Sequence, residues 1–154
     1  MMFANQYQIA YVTPDIREAT CILNEQYGAP AFQGLTGDAP VENRVWTPDG
    51  EADIVMRAAI AKVGDLILEV LEPISGATGI FTDMLEPGQP LRLHHIAMRV
   101  DDLDLVRAEH AKHGREVVIA GSFKAARFMY VDARATLGHY LEYVSAPAEY
   151  WERR

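Results

Sequence analysis

Residues Leu93–Asp102 read Leu-His-His-Ile-Ala-Met-Arg-Val-Asp-Asp: an alternating strand headed by a histidine and stopped by two aspartates where a helical pattern begins. Far upstream, Gln8-Ile9-Ala10-Tyr11-Val12-Thr13-Pro14-Asp15 has the same shape, with a glutamine in the histidine's place. Laying Gln8 over His95 brings Thr13-Pro14-Asp15-Ile16 onto Val100-Asp101-Asp102-Leu103. The last strands then match too, Leu68-Glu69-Val70 against Leu141-Glu142-Tyr143. The chain reads as one module stated twice. Gln8 and Glu69 lie further apart than His95 and Glu142, so the first half carries the longer loop, absorbed around residues 34–50.

Working outward, Tyr7–Val12 alternates as a strand. Thr13 can cap the helix that follows, with Pro14 in its first position and Gly28 and Pro30 ending it after Tyr27. Residues 31–50 are broken by Gly, Pro, Asn and Asp; Arg44–Trp46 is a strand fragment and Pro48-Asp49-Gly50 a turn. Asp53–Lys62 and Leu66–Leu71 are strands about a turn at Gly64-Asp65. Pro73–Leu91 has a linker's composition, with a short helical piece near Ile80–Leu85. The second half then runs as strand Leu93–Val100, helix Leu103–His113 and strands Glu116–Ala120, Arg127–Asp132 and His139–Val144. The expected architecture is α+β: two tandem β-α-β-β-β modules, at about 5–73 and 92–146, joined by a linker at about 74–91 in a single domain. Tyr150 and Trp151 in the tail are expected to pack back on the body.

Composition bounds the function classes. The 154 residues carry a net charge of -8 and are 49% hydrophobic. The chain has no basic stripe, which argues against nucleic acid and against an anionic membrane surface. No apolar run approaches spanning length, and Met1–Ala4 is not a cleavable leader. The single Cys21 cannot form an internal disulfide, so the cytoplasm is the expected compartment. Among Ile16, Ala19, Ile22 and Leu23, it reads as a small buried residue of a helix face.

Each half thus opens on a ligand-type side chain and ends on a strand glutamate whose face is otherwise apolar: Ile67 and Leu71 beside Glu69, Tyr140 and Val144 beside Glu142. A carboxylate buried on such a face is costly without a partner or a metal. No nucleophile elbow, phosphate loop, dinucleotide fingerprint, His-Glu-x-x-His or paired Cys-x-x-Cys competes with this constellation.

On Leu-His-His-Ile-Ala with Val-Asp-Asp-Leu, Leu-Glu-Val-Leu-Glu-Pro at 68–73 and Leu-Gly-His-Tyr-Leu-Glu-Tyr-Val at 137–144, the chain resembles the vicinal oxygen chelate superfamily. Its members include glyoxalase I, methylmalonyl-CoA epimerase, extradiol dioxygenases and bleomycin-resistance proteins. The resemblance covers nearly the whole chain. It implies an open, curled eight-stranded mixed sheet holding a divalent metal (zinc, nickel, cobalt or manganese) through Gln8, Glu69, His95 and Glu142. Two carboxylates with neutral Gln and His offset a 2+ ion and leave positions for water or substrate. The set is similar to that of zinc-type glyoxalase I, and Gln8 removes one histidine of the dioxygenase triad. The implied reaction moves a proton next to a carbonyl through an enediolate or enolate, with Glu142 as first base and Glu69 as second.

That makes a divalent-metal lyase or isomerase the expected function, glyoxalase I-like, on a small carbonyl or thioester substrate. The chain lacks an evident basic cluster for glutathione carboxylates, so a methylmalonyl-CoA epimerase-like isomerase is the alternative. A non-catalytic cup of the bleomycin-resistance kind is the second class. A homodimer is expected. Arg99, on the strand face of His95, and Arg127 and Tyr130 are candidate substrate contacts. Strand parity sends His94 to the opposite face from His95, as a packing or hydrogen-bonding residue rather than a ligand. His110 and His113 decorate a solvated helix end, and His139 is given no role.

Overall fold

The computed structural model describes residues 2–34 and 40–152. Part of the expected long loop, residues 35–39, lies outside the described residues. Strand β1 (Gln6–Val12) leads into helix α1 (Ile16–Tyr27), then β2 (Val41–Thr47), β3 (Gly50–Val63) and β4 (Leu66–Gly76). After the short α2 (Gly79–Thr82), β5 (Arg92–Arg99), α3 (Leu103–Ala111), β6 (Val117–Phe123) and β7 (Ala126–Asp132) follow. The chain closes with α4 (Arg134–Leu137), β8 (Tyr140–Ser145) and α5 (Ala148–Glu152). The α+β architecture of two β-α-β-β-β modules in an eight-stranded mixed sheet is as expected. β4 runs on to Gly76, into the stretch whose Pro and Gly read as linker.

The two strand–helix junctions are built alike. Asp15 and Asp102 are the N-caps, each carboxylate taking two backbone N–H groups of the following turn, which satisfies donors that the first turn leaves without partners. The cap is therefore Asp15 and not Thr13. The Thr13 hydroxyl instead donates to the Pro90 carbonyl at 2.6 Å. α1 ends on Gly28 in the left-handed conformation. It rests Ile16, Ala19 and Leu23 on Ala59 and Val70. Cys21 is exposed, a correction to its reading as buried: on α1 the buried positions are Ile16, Ala19, Thr20 and Leu23, and residue 21 falls off that stripe.

Sheet order is β1-β4-β3-β2-β6-β7-β8-β5, returning to β1. The modules meet at the antiparallel β1–β5 pair. The opposite seam, between β2 and β6, is only Val45↔Gly121 and Trp46↔Ala120. Those two pairs close the curled sheet into a barrel. Outward side chains Met98, Leu141 and Tyr143 pack under α3, and inward ones line the interior. The tail packs back as expected: Trp151 meets Tyr7 edge-on with ring centroids 5.1 Å apart.

Candidate metal and proton-transfer site

Register at the central seam shows why the two halves present equivalent side chains. On β1 and β5, Gln8 lies opposite Ala97, and Ala10 opposite His95. On the outer side of each strand, Ala10 lies beside Glu69 of β4 and Ala97 beside Glu142 of β8. The interior therefore carries two alanines, both fully buried, with Gln8, Glu69, His95 and Glu142 around them. Alanine's single methyl leaves the room into which four longer side chains converge.

They converge closely. His95 Nε2 is 3.3 Å from Glu142 Oε2 and 3.7 Å from Glu69 Oε2. The Gln8 amide nitrogen donates to Glu69 Oε2 at 2.7 Å and lies 3.5 Å from His95 Nε2. Tyr130, on β7, lies opposite Glu142 in the β7–β8 register and lines the same cavity. Burial, then the charges of Glu142 and Glu69, hold its phenol well above the usual tyrosine range, so it is a neutral donor. His95 is fully buried and Glu142 nearly so.

Above this floor opens a cavity of about 210 Å³. Every strand but β5 lines it, with apolar side chains such as Ile54, Met56, Leu71, Phe81, Ile119 and Phe128 around Gln8, Glu69, Tyr130 and Glu142. The cavity suits a small apolar group carried to a polar floor.

Of the sequence candidates, Gln8, Glu69, His95, Glu142 and Tyr130 come together. The other two lie elsewhere. Arg127 stands three residues from Tyr130, hence on the opposite strand face, and lines a separate outer groove with Trp46 and Arg107. Arg99 lies at the barrel end, its guanidinium 4.5 Å from the Trp151 ring centre and 5.5 Å from that of Tyr7. Sequence reading missed Ala10 and Ala97, although Gln-Ile-Ala and His-Ile-Ala stand in the two matching stretches.

His94 packs and hydrogen-bonds as expected, but strand parity does not describe its place. The residue is fully buried, and its Nδ1 lies 2.8 Å from Nδ1 of His95. The cause is a break in register: Ala10 pairs with His95 but Tyr11 with Leu93, leaving His94 as the extra residue of a bulge. Its ring stacks on Phe81 and Tyr140, at 4.4 and 4.9 Å between centres. Burial, then neighbouring His95, holds its pKa well below the usual histidine range.

The donor set suits a divalent ion in type and charge. Donors sharing one ion at ~2.1 Å per bond stand about 3.0–3.4 Å apart, near the separations around His95 Nε2. Among the described residues, no group of three or more His, Cys, Asp or Glu forms a ready-made metal cage. Glu69 is held instead by the Gln8 amide. A half-turn of the Gln8 amide would present its oxygen as the fourth donor.

Paired β-α-β-β-β modules with ligand-type side chains on their first and last strands define the vicinal oxygen chelate class. The sequence model of the Glyoxalase/Bleomycin resistance protein/Dioxygenase superfamily matches residues 7–131, and the chain belongs to that superfamily. No curated protein matches the chain significantly in sequence. Among solved structures, methylmalonyl-CoA epimerase from Mycobacterium tuberculosis is similar at TM-score 0.60 and 15% identity, covering 98% of this chain and 93% of that one. A variant of the Streptomyces coelicolor epimerase in complex with 2-nitronate-propionyl-CoA gives 0.58 and 17%, over 94% and 95%. A hypothetical protein from Bacillus halodurans gives 0.59 and 17%, over 93% and 94%. At these identities the likeness is one of fold. No helix among the described residues is long and apolar enough to cross a membrane.

Proposed function

We propose that this protein is a divalent-metal-dependent isomerase that removes and returns a proton on the carbon next to a carbonyl or thioester carbonyl. The observation that carries the reading is the placement of Glu69 and Glu142. They occupy equivalent registers on the strands flanking β1 and β5, so two carboxylates face one floor from its two sides. A proton taken from one face of a planar carbanion and returned to the other needs such a pair. A bound divalent ion, held by His95, Glu142, Glu69 and the Gln8 amide oxygen, would supply Lewis acidity at the substrate oxygen.

In this reading Glu142, as carboxylate, takes the α-proton from one face, and Glu69, entering the step protonated, gives its own proton to the other face; the two carboxyls exchange roles in the reverse direction. Tyr130, a neutral donor opposite Glu142 on the cavity wall, is placed to meet a substrate oxygen. The apolar walls hold the acyl part of the substrate and exclude water. An epimerase-like substrate is supported by the fold shared with proteins named as methylmalonyl-CoA epimerases. A glyoxalase I-like substrate is supported by the donor set alone.

Solvent-deuterium exchange tests the proposal. With Zn²⁺, Ni²⁺, Co²⁺ or Mn²⁺ supplied, the protein should exchange the α-proton of 2-methylacyl thioesters or of hemithioacetals, and the active panel identifies the substrate class. Glu142→Gln should slow exchange about 10²- to 10⁴-fold, the range for a lost general base. Metal-loaded protein that exchanges neither panel would overturn the reading. The hydrogen bond from Gln8 to Glu69, together with the apolar walls, favours one second reading, a binding cup without catalysis. That reading predicts retention of an apolar ligand with no exchange.

A further inference from the structure

His94 is a buried imidazole between an acceptor and another imidazole. Its Nε2 lies 3.1 Å from the Ile80 carbonyl, and its Nδ1 lies 2.8 Å from Nδ1 of His95. A carbonyl oxygen only accepts, so His94 Nε2 carries the hydrogen. With one ring hydrogen already placed, a neutral His94 has a bare Nδ1 that accepts. His95 Nδ1 must then carry the hydrogen of the shared bond. The other nitrogen of His95, Nε2, faces Gln8, Glu69 and Glu142. Phe81 and Tyr140 stack on the His94 ring at interplanar angles of 13° and 24°, which holds its plane, and the contacts at both ring nitrogens set which edge faces His95.

From this chain of donors and acceptors we propose that His94 is a positioning residue: the relay from the Ile80 carbonyl through His94 puts a hydrogen on His95 Nδ1 and leaves Nε2 as the nitrogen that faces the metal position. Histidine ligands are commonly held by a partner on the second ring nitrogen, usually a carboxylate, a carbonyl or water. Here that partner is a second imidazole, placed by the bulge and referred back to α2. The metal role rests on the proposed function; the hydrogen on His95 Nδ1 does not, whatever Nε2 carries beside the acceptor oxygens of Glu69 and Glu142. The relay also explains why a polar ring sits fully buried without touching the cavity. It gives β5 two adjacent histidines with different tasks, one facing the four-residue floor and one behind it.

Long-range ¹H–¹⁵N correlation on metal-free, ¹⁵N-histidine-labelled protein reads the ring hydrogens directly. The expected pattern is His94 protonated at Nε2 and His95 protonated at Nδ1. A bare Nδ1 on His95, or Nδ1–H on His94, would overturn the relay. His94→Phe keeps an aromatic ring for the stack but removes the acceptor, while His94→Asn restores an acceptor near the Nδ1 position. By calorimetric titration with Co²⁺ or Zn²⁺, His94→Phe should bind about 10- to 100-fold more weakly, the usual cost of losing a ligand's partner. His94→Asn should recover most of that loss. Unchanged affinity in a folded His94→Phe protein would overturn the positioning role. Wild-type protein that binds neither ion would instead defeat the proposed metal site, leaving the labelled spectrum to decide the tautomer.

Discussion

Ala10 and Ala97 do as much to define the site as the side chains around them. Each is a fully buried alanine at the meeting of three strands, and each lies opposite or beside two of the four converging residues. Enlarging one should fill the space where the carboxylates and imidazole meet. Ala97→Val is therefore expected to abolish measurable metal binding while costing about 1–3 kcal/mol of stability through overpacking, as read by titration beside urea unfolding. At this scale the sequence was informative wherever alternation held. Gln8, Glu69, His95 and Glu142 were legible because two strands in each half repeat one pattern. Arg127, at odd spacing from Tyr130, lies on the opposite face of β7. His94 was not legible, since no local signal in Leu93–His95 announces an extra residue in the β5 ladder.

At the level of single elements, α3 is tied to the sheet by an imidazole that sequence reading had placed in solvent. His110 is 2% exposed. Arg115 Nε donates to its Nδ1 at 2.8 Å, so its Nε2–H donates to the Tyr143 hydroxyl, also at 2.8 Å. Burial, then the Arg115 charge, lowers its pKa below the ordinary 6.5. The unfolded chain therefore takes up this proton first as pH falls. Stability present above about pH 6.5 should be lost below it, by at most ~1.4 kcal/mol per pH unit from this one group. His110→Gln should flatten that part of the stability–pH curve, measured by urea unfolding from pH 7.5 to 5. A helical stripe of Leu103, Val106 and His110 is visible in hindsight; polarity argued for solvent, and the Tyr143 partner lies 33 residues away.

The β6 strand offers a second element-level test. A Cβ on Gly121 would come within 2.9 Å of the Phe128 ring and 3.2 Å of Val45. Gly121→Ala should push Phe128, a cavity wall, inward. The expected result is weaker retention of apolar ligands, by roughly tenfold, with metal affinity unchanged, since Phe128 is not among the donors. One buried methylene-sized change, about 1 kcal/mol, sets that magnitude.

Across the whole molecule, duplication is what makes the interior polar at one place and apolar elsewhere. In the proposed site each module supplies one first-strand and one last-strand donor, and neither supplies a full set. The overall architecture was legible because the two copies share caps at Asp15 and Asp102 and strands in the same order. Closure through β2 and β6 was not, because two residue pairs at a distant seam leave no pattern in either strand. A ligand that bridges the modules should stabilise the fold as a whole. An ion at 100 times its dissociation constant adds about 2.7 kcal/mol to the unfolding free energy. Thermal melts should therefore shift upward with metal and return with a chelator.

The central claim is that donors from both modules hold one divalent ion, and titration of metal-free protein with Zn²⁺, Ni²⁺, Co²⁺ and Mn²⁺ tests it most directly. Binding of one ion per chain is predicted for at least one of these metals. Glu69→Gln, in the first module, and His95→Ala, in the second, should each weaken it by tenfold or more, a loss of about 1.4 kcal/mol or greater. Absence of binding by all four metals, or binding that neither substitution disturbs, would contradict the claim.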